Sequence, residues 1–161
     1  MSKTVGSTKT SYVCKVRRSL PQALVDGTLK YVYGLGLAYA VDTSSNLQVY
    51  HTDGLRSVRA ITDGSGNVLA TYRTDAFGVP LRTTGNSSQP FQFTGQQRDA
   101  ESGLYDLRAR MYDPAIGRFL QRDPRQLAPC DLSTPGELDA YVYAVNNPIN
   151  RMDPSVRVRA G

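Results

Sequence analysis

Apolar and polar side chains alternate from residue 105 to residue 111. The apolar positions are Tyr105, Leu107, Ala109 and Met111. The polar positions between them are Asp106, Arg108 and Arg110. A period of two is typical of a strand with one buried face. The pattern therefore predicts one continuous strand over residues 105–111.

Turn-forming residues lie on both sides of this strand. Residues 99–103 end in Gly103, which tolerates a positive φ. In residues 113–117, Pro114 presets the first corner, Asp113 can accept a hydrogen bond from the turn, and Gly117 suits a left-handed exit. We also expect strands ending at Gly95 and over residues 118–122. Residues 93–124, called the signature segment below, are thus predicted to alternate strands and turns.

A second pattern recurs at a spacing of 22 residues. Tyr50-His51-Thr52-Asp53 matches Tyr72-Arg73-Thr74-Asp75, and Gly78 follows the second copy. Turn residues beginning with Asp, at 42–46 and 63–67, precede each copy. Each unit has the composition of a hairpin, and because a single hairpin is marginally stable, neighbouring units must stack to bury a shared apolar face.

The repeated Tyr and Asp residues have a structural and a functional interpretation. A half-buried Tyr50 or Tyr72 covers apolar area and can donate its hydroxyl to a turn, while Asp53 and Asp75 can cap the turn backbone. Alternatively, these aromatic and carboxylate groups form a patch that binds sugars.

The ends of the chain give weaker patterns. Residues 1–10 are small and polar, which favours disorder. Short strands are predicted over residues 12–15 and 29–33, with a loop between them that leads into a strand. Near the C-terminus, Ser133 or Thr134 could cap a short helix, and residues 140–145 fit either a helical face or a strand.

Composition narrows the function classes. The chain has 161 residues, enough for one domain with a core, and a net charge of +5. Its Arg residues are scattered along alternating positions, which favours a solvated sheet face over a nucleic-acid interface. Cys14 and Cys130 form no C-x-x-C pair and His51 is the single histidine, so no metal or other cofactor is predicted. Sequence leaves open whether the two cysteines form a disulfide.

Neither a membrane span nor a signal peptide is predicted. The chain has no apolar run of roughly 18 residues, and residues 1–10 lack the apolar centre of a secretory signal. The chain is therefore either cytoplasmic when made or a piece of a longer protein that is exported by other means.

The signature segment resembles the core-associated domain of RHS/YD-repeat proteins. The match runs from Gly103 to Pro124, with Asp106 and Met111 where the family usually has Tyr. Tyr72, Asp75 and Gly78 resemble the YD repeat, and residues 141–154 resemble the family's closing motif. The motif positions that the resemblance singles out are Tyr50, Asp53, Tyr72, Asp75, Gly78, Gly103, Tyr105, Arg108, Arg110, Tyr112, Asp113, Pro114, Gly117, Arg118 and Phe119.

The resemblance implies an all-β fold, an antiparallel ribbon of YD-type hairpins with an irregular or helical C-terminal part. We expect four regions. They are a disordered start (1–10), hairpin repeats (11–90), the core-associated hairpins (91–124) and a C-terminal segment (125–161).

The resemblance also implies a candidate catalytic group. Asp123 and Asp153 each precede a proline, and Arg122 precedes the first. In better-known members of the resembled family, the matching carboxylates form an aspartyl autoprotease that releases a toxin from a closed shell. Two close carboxylates can share a proton, so that one activates water while the other donates. Here Gln126 replaces the usual glycine of the first motif, and Ser155-Val156-Arg157 follows the second Asp-Pro pair, so that the usual Gly-Leu is missing. The alternative is that both Asp-Pro pairs are turns.

Three functions follow as expectations. The first is a fragment of an RHS shell that closes a β-ribbon around a payload, with upstream repeats or further copies of the chain as partners at the sheet edges. The second is self-cleavage by Asp123 and Asp153, and the third is a carbohydrate-binding adhesion module. The resemblance places the protein in secretions or on the bacterial surface, as part of a larger polypeptide.

Overall fold

A computed structural model describes residues 2–5, 8–17, 20–26, 29–85, 89–123 and 139–153. Nine antiparallel strands form one meandering sheet in which each strand pairs with its neighbours in sequence. These strands are β1 (Ser2–Val5), β2 (Thr8–Arg17), β3 (Leu20–Asp26), β4 (Leu29–Tyr33), β5 (Leu37–Val41), β6 (Leu47–Thr52), β7 (Val58–Thr62), β8 (Val68–Thr74) and β9 (Pro80–Gly85). The predicted all-β fold is confirmed.

Alternation in the strands places one row of side chains in the core of this sheet. Tyr50 pairs with Ile61, and Ile61 pairs with Ala70 on the next strand. All three are buried, because residues directly opposite one another point to the same face. The remaining buried members of this cluster are Tyr31, Leu37, Ala40, Val58, Tyr72 and Phe91.

The strands from β5 to β9 are joined by four turns of one design. Each begins with an aspartate whose Oδ1 accepts the amides two and four residues later, as Asp63 does from Ser65 and Asn67. The fourth residue of each turn has a positive φ, from 65° at Ser45 to 94° at Gly78. The aspartates are Asp42, Asp53, Asp63 and Asp75.

Residues of the signature segment form a second, four-stranded antiparallel sheet. Its strands are β10 (Gln97–Arg98), β11 (Tyr105–Asp106), β12 (Met111–Asp113) and β13 (Arg118–Phe119). The predicted turns at 99–103 and 113–117 are present, with Gly103 at φ 75° and Gly117 at φ 67°. The last strand is shorter than the predicted 118–122.

The prediction of a continuous strand over residues 105–111 is wrong. The chain reverses at Arg108, which has φ 70°, and Leu107 donates its amide to the carbonyl of Arg110 at 3.0 Å. Asp106 Oδ1 accepts the Arg108 amide at 2.6 Å. A two-residue reversal puts Leu107 and Arg110 on the same face, which explains why Arg110 is buried and Ala109 is exposed.

The prediction of a strand that ends at Gly95 is also wrong, since Phe93–Gly95 is a 3₁₀ turn. Thr94 has φ 47°, and Gly95 donates to the carbonyl of Gln92. A residue distant in sequence stabilises this turn, because the buried Ser57 Oγ accepts the Thr94 amide at 3.0 Å. Such a tertiary contact overrides local strand preference.

The two ends of the chain also differ from expectation. Strand β1 and the start of β2 lie where composition favoured disorder, because sheet pairing satisfies the backbone of polar residues as well. Residues 140–145 are neither one helix nor one strand. Val142 forms an isolated bridge with Arg118, and Ala144–Asn146 is a 3₁₀ turn. Pro124, Cys130, Ser133 and Thr134 lie outside the described residues.

Candidate functional site

The two sheets meet at the turns that follow β6 and β8. The amide of Val58 donates to the carbonyl of Gln92 at 2.9 Å. Gly78 lies against the ring of Phe93, so close that a Cβ at residue 78 would lie 2.7 Å from two ring carbons. The second sheet is therefore attached to the repeat turns themselves.

Two tyrosines of the signature segment bind the backbone of the Asp75 turn. Tyr112 donates its hydroxyl to the carbonyl of Phe77 at 2.8 Å, and Tyr105 donates to the carbonyl of Gly78 at 3.0 Å. Burial raises the pKa of Tyr105 to about 12 and also raises the pKa of Tyr112. Both phenols thus remain protonated donors throughout the neutral range.

An aromatic cluster fills the space behind these hydroxyls. Tyr112 lies at its centre, with ring centroids 4.5 Å from Tyr143 and 5.8 Å from Phe119. Burial raises the pKa of Tyr143 to about 12. Since Tyr143 comes from the C-terminal segment, this cluster joins that segment to the signature sheet.

Arg110 lies beside the cluster with its side chain 2% exposed. Its guanidinium carbon is 3.5 Å from the centroid of the Phe119 ring, a cation–π contact. Arg110 Nη1 donates to the carbonyl of Ala140 at 3.3 Å. The tight turn at Arg108 positions this guanidinium by directing residue 110 inward.

Asp123 and Asp153 meet at this one guanidinium. Arg110 Nη2 is 3.3 Å from Asp123 Oδ2 and 3.1 Å from Asp153 Oδ2. The Asp123 amide also donates to the Ala140 carbonyl at 2.9 Å. The structure thus brings together the two aspartates that the sequence singles out, while Arg122, their expected companion, has an exposed side chain.

Sequence reasoning placed Arg110 on the polar, solvated face and missed its contact with the two aspartates. An available signal was Asp106. In the four turns from β5 to β9 an aspartate accepts the amide two residues later, and Asp106 does the same with the amide of Arg108. Recognising that turn would have placed Arg110 on the buried face.

The YD-type residues have structural partners. Asp53 and Asp75 cap their turns, and the side chains of Tyr50 and Tyr72 are buried, with 6% and 5% exposed. Sugar binding by stacking needs an exposed ring face, so this geometry does not favour the carbohydrate patch.

The remaining motif residues act locally. Asp113 Oδ1 accepts the amide of Ala115, as expected of a capped turn, and Pro114 is buried. Arg118 pairs with Asp139 at the surface. Burial lowers the pKa of Arg108.

Residues 26–149 match the model of the Teneurin YD-shell family. The chain belongs to this family. The similarity to an RHS/YD-repeat domain is thus confirmed, and it covers both the repeat strands and the signature sheet.

Two relatives are similar in sequence to a large part of this chain. It is 37% identical over 134 residues to the tRNA3(Ser)-specific nuclease WapA of Bacillus spizizenii, a match that covers 79% of this chain and 6% of the relative. It is 32% identical over 111 residues to the toxin protein Tse5 of Pseudomonas aeruginosa, covering 69% of this chain and 8% of that protein. The YD-shell chain thus corresponds to a small part of these relatives.

The fold is also similar to a solved structure. The crystal structure of TcdB2-TccC3 superposes with a TM-score of 0.69 at 19% identity, over 97% of this chain and 8% of the other. At that identity the similarity concerns the fold alone.

In the part of the chain that the structure describes, none of the helical turns has the length and apolar character that a membrane span requires. No group of three or more His, Cys, Asp or Glu side chains in the same ranges is placed to hold a metal ion.

Proposed function

We propose that this YD-shell chain is the closing part of a β-shell that shields a payload within a larger protein of the toxin type. The observation that carries the proposal is the junction at Arg110. One buried guanidinium joins the reversal before β12 to the end of the signature segment, through Asp123, and to the C-terminal segment, through Asp153 and Ala140.

The course of the C-terminal segment supports closure. Residue Val142 bridges to Arg118, and the amide of Phe119 donates to the carbonyl of Tyr141 at 2.9 Å. The chain therefore covers the outer edge of β13 with its own backbone. A covered edge is one way in which proteins prevent further strand pairing, as expected where a ribbon ends.

The names of the relatives supply the context of this proposal. WapA is named a nuclease and Tse5 a toxin, and each is far longer than the matched segment. We infer that upstream repeats or further copies of the chain complete the shell, that the payload is a toxin domain, and that the protein acts in secretions or on the bacterial surface.

A chimera tests the proposal. This chain would replace the matched 134-residue segment of the Bacillus spizizenii WapA, and protease resistance of the part that follows would be measured. Closure predicts that protection is retained with this chain and lost with Arg110→Met. Closure also predicts that the chimera with Arg118→Met, which removes an exposed ion pair, retains its protease resistance. Equal protection in all three chimeras would contradict a closing role for this junction.

Self-cleavage is the second candidate, because two aspartates that lie 30 residues apart in sequence contact one nitrogen. Catalysis by the pair needs one carboxyl to keep a proton while the other activates water. The shared contact with Arg110 supports the proximity that such a pair requires.

Intact mass measurement of the purified chain over several days tests this candidate. Self-cleavage predicts a shortened product that is absent in Asp123→Asn and Asp153→Asn and unchanged in Asp139→Asn. Asp139 is a suitable control, since it is a nearby aspartate that pairs with another arginine. A chain that keeps its full mass would exclude self-cleavage under those conditions.

A further inference from the structure

Two arginines face each other on the outward side of the last hairpin of the large sheet. Arg73 on β8 is directly opposite Arg82 on β9, and both are exposed. Directly opposite residues in antiparallel strands have Cβ atoms about 5 Å apart, and like charges in such a pair are destabilising. The hairpin therefore places two like charges opposite each other at the edge of the sheet.

Three arginines elsewhere in the two sheets or beside them have a carboxylate partner. Arg59 Nη2 lies 2.8 Å from Asp53 Oδ2, Arg118 pairs with Asp139, and Arg110 contacts two aspartates. Among the described residues no ion pair or hydrogen bond is found for the side chains of Arg73 and Arg82. A local rule that is broken without internal compensation marks a candidate functional site.

Two hydroxyl groups lie next to the pair on the same face. Thr71 and Thr84 are also directly opposite each other, with their Oγ1 atoms 2.5 Å apart. Thr71 precedes Arg73 by two residues and Thr84 follows Arg82 by two residues. All four side chains therefore share the outward face. Guanidinium forks beside hydroxyl groups form a donor-rich surface suited to carboxylates and phosphates.

We propose that Arg73 and Arg82, with Thr71 and Thr84, form a docking surface for an acidic segment of a protein partner. A net charge of +5 favours an acidic partner. Nucleic acid is less suited, because sequence-tolerant binding of single strands uses exposed aromatic rings. The aromatic residues Tyr50 and Tyr72 of this region lie on the opposite, buried face.

The surface does not depend on edge pairing at β9. That edge is protected, since Pro80 lacks an amide donor, the register shifts next to it, and Arg82 is charged. It is also independent of the Arg110 junction, which lies in the other sheet. Failure of the closing function would therefore leave this surface unaffected, and the reverse also holds.

The test uses the full chain with hexaglutamate as the probe, followed by isothermal titration and amide chemical shifts. We expect binding that shifts the amides of β8 and β9 and falls at least tenfold in the double variant Arg73→Gln, Arg82→Gln. The matched control is Lys30→Gln, Arg151→Gln, which removes the same charge from two exposed sites and is expected to bind as the unmodified chain does.

Three results would overturn the proposal. They are no binding of hexaglutamate, an equal loss in the control variant, and tighter binding of a hexathymidylate at the same residues, which would indicate a nucleic-acid surface. A separate measurement tests the premise without any ligand. Arg82→Glu replaces the repulsive pair with an attractive one, so its melting temperature should rise, and a fall would contradict the repulsion.

Discussion

Gly78 lies where the repeat turns meet the signature sheet, and two separate constraints act on it. Its φ is 94°, and the ring of Phe93 occupies the space that a Cβ would need. Gly66 holds the equivalent position in the previous turn with φ 89°, but a Cβ there would have nothing within 4 Å. The chain thus offers a pair of glycines that differ in one constraint.

Gly78→Ala should destabilise the protein more than Gly66→Ala does. Both variants bear the strain of a positive φ, roughly 1–3 kcal/mol, but only the first also forces Phe93 to move, at about 1–3 kcal/mol more. Chemical denaturation of both variants measures the difference. Equal free energies of unfolding would show that Phe93 adapts without cost.

At the scale of elements, the Asp-led turn explains which predictions succeed. Gly103, Asp113 and Gly117 lie in turns that local chemistry determines, and those turns are predicted from sequence. The reversal within residues 105–111 is not predicted from sequence. Apolar and polar side chains keep alternating through a two-residue hairpin, so their pattern there is the same as in a continuous strand. The contacts of Arg110 lie beyond local patterns altogether, since Asp123 and Asp153 reach it through the tertiary fold.

The Asp-led turns should make the free energy of unfolding fall in acid. The side-chain amide of Asn67 holds the pKa of Asp63 below its usual value, and Asn46 does the same for Asp42. A carboxyl whose pKa is lower when folded stabilises the protein above its unfolded pKa, about 3.9. That contribution is lost as the pH falls through the folded value.

We therefore expect Asn67→Ala to lower the urea midpoint at pH 7 and to lower it less at an acidic pH below the folded pKa of Asp63, where the carboxyl is protonated in both proteins. Unfolding curves at the two pH values make the comparison. The combined variant Asn67→Ala, Asp63→Asn is the control, because it lacks the titrating group and should show less dependence on pH. A constant difference between the single variant and the unmodified protein would contradict the proposed linkage.

At the scale of the whole molecule, the buried and the exposed arginine junctions of the C-terminal segment should contribute very differently. Arg110→Met leaves Asp123 and Asp153 near one another without their shared counter-ion, and loss of one partner of a buried ion pair costs about 3–5 kcal/mol. Arg118→Met removes a pair whose side chains are 43% and 42% exposed. Exposed pairs contribute about 0–1 kcal/mol.

Hydrogen exchange distinguishes local opening from global unfolding. If Arg110 fixes the C-terminal segment, Arg110→Met should speed exchange at the amides of Phe119 and Asp123, which donate to Tyr141 and Ala140. The amide of Ala60 in β7 should keep its rate, because the large sheet has its own core. Faster exchange at all amides would mean that the two sheets unfold as one unit. Unchanged exchange at Phe119 and Asp123 would mean that the aromatic cluster around Tyr143 holds the C-terminal segment without Arg110.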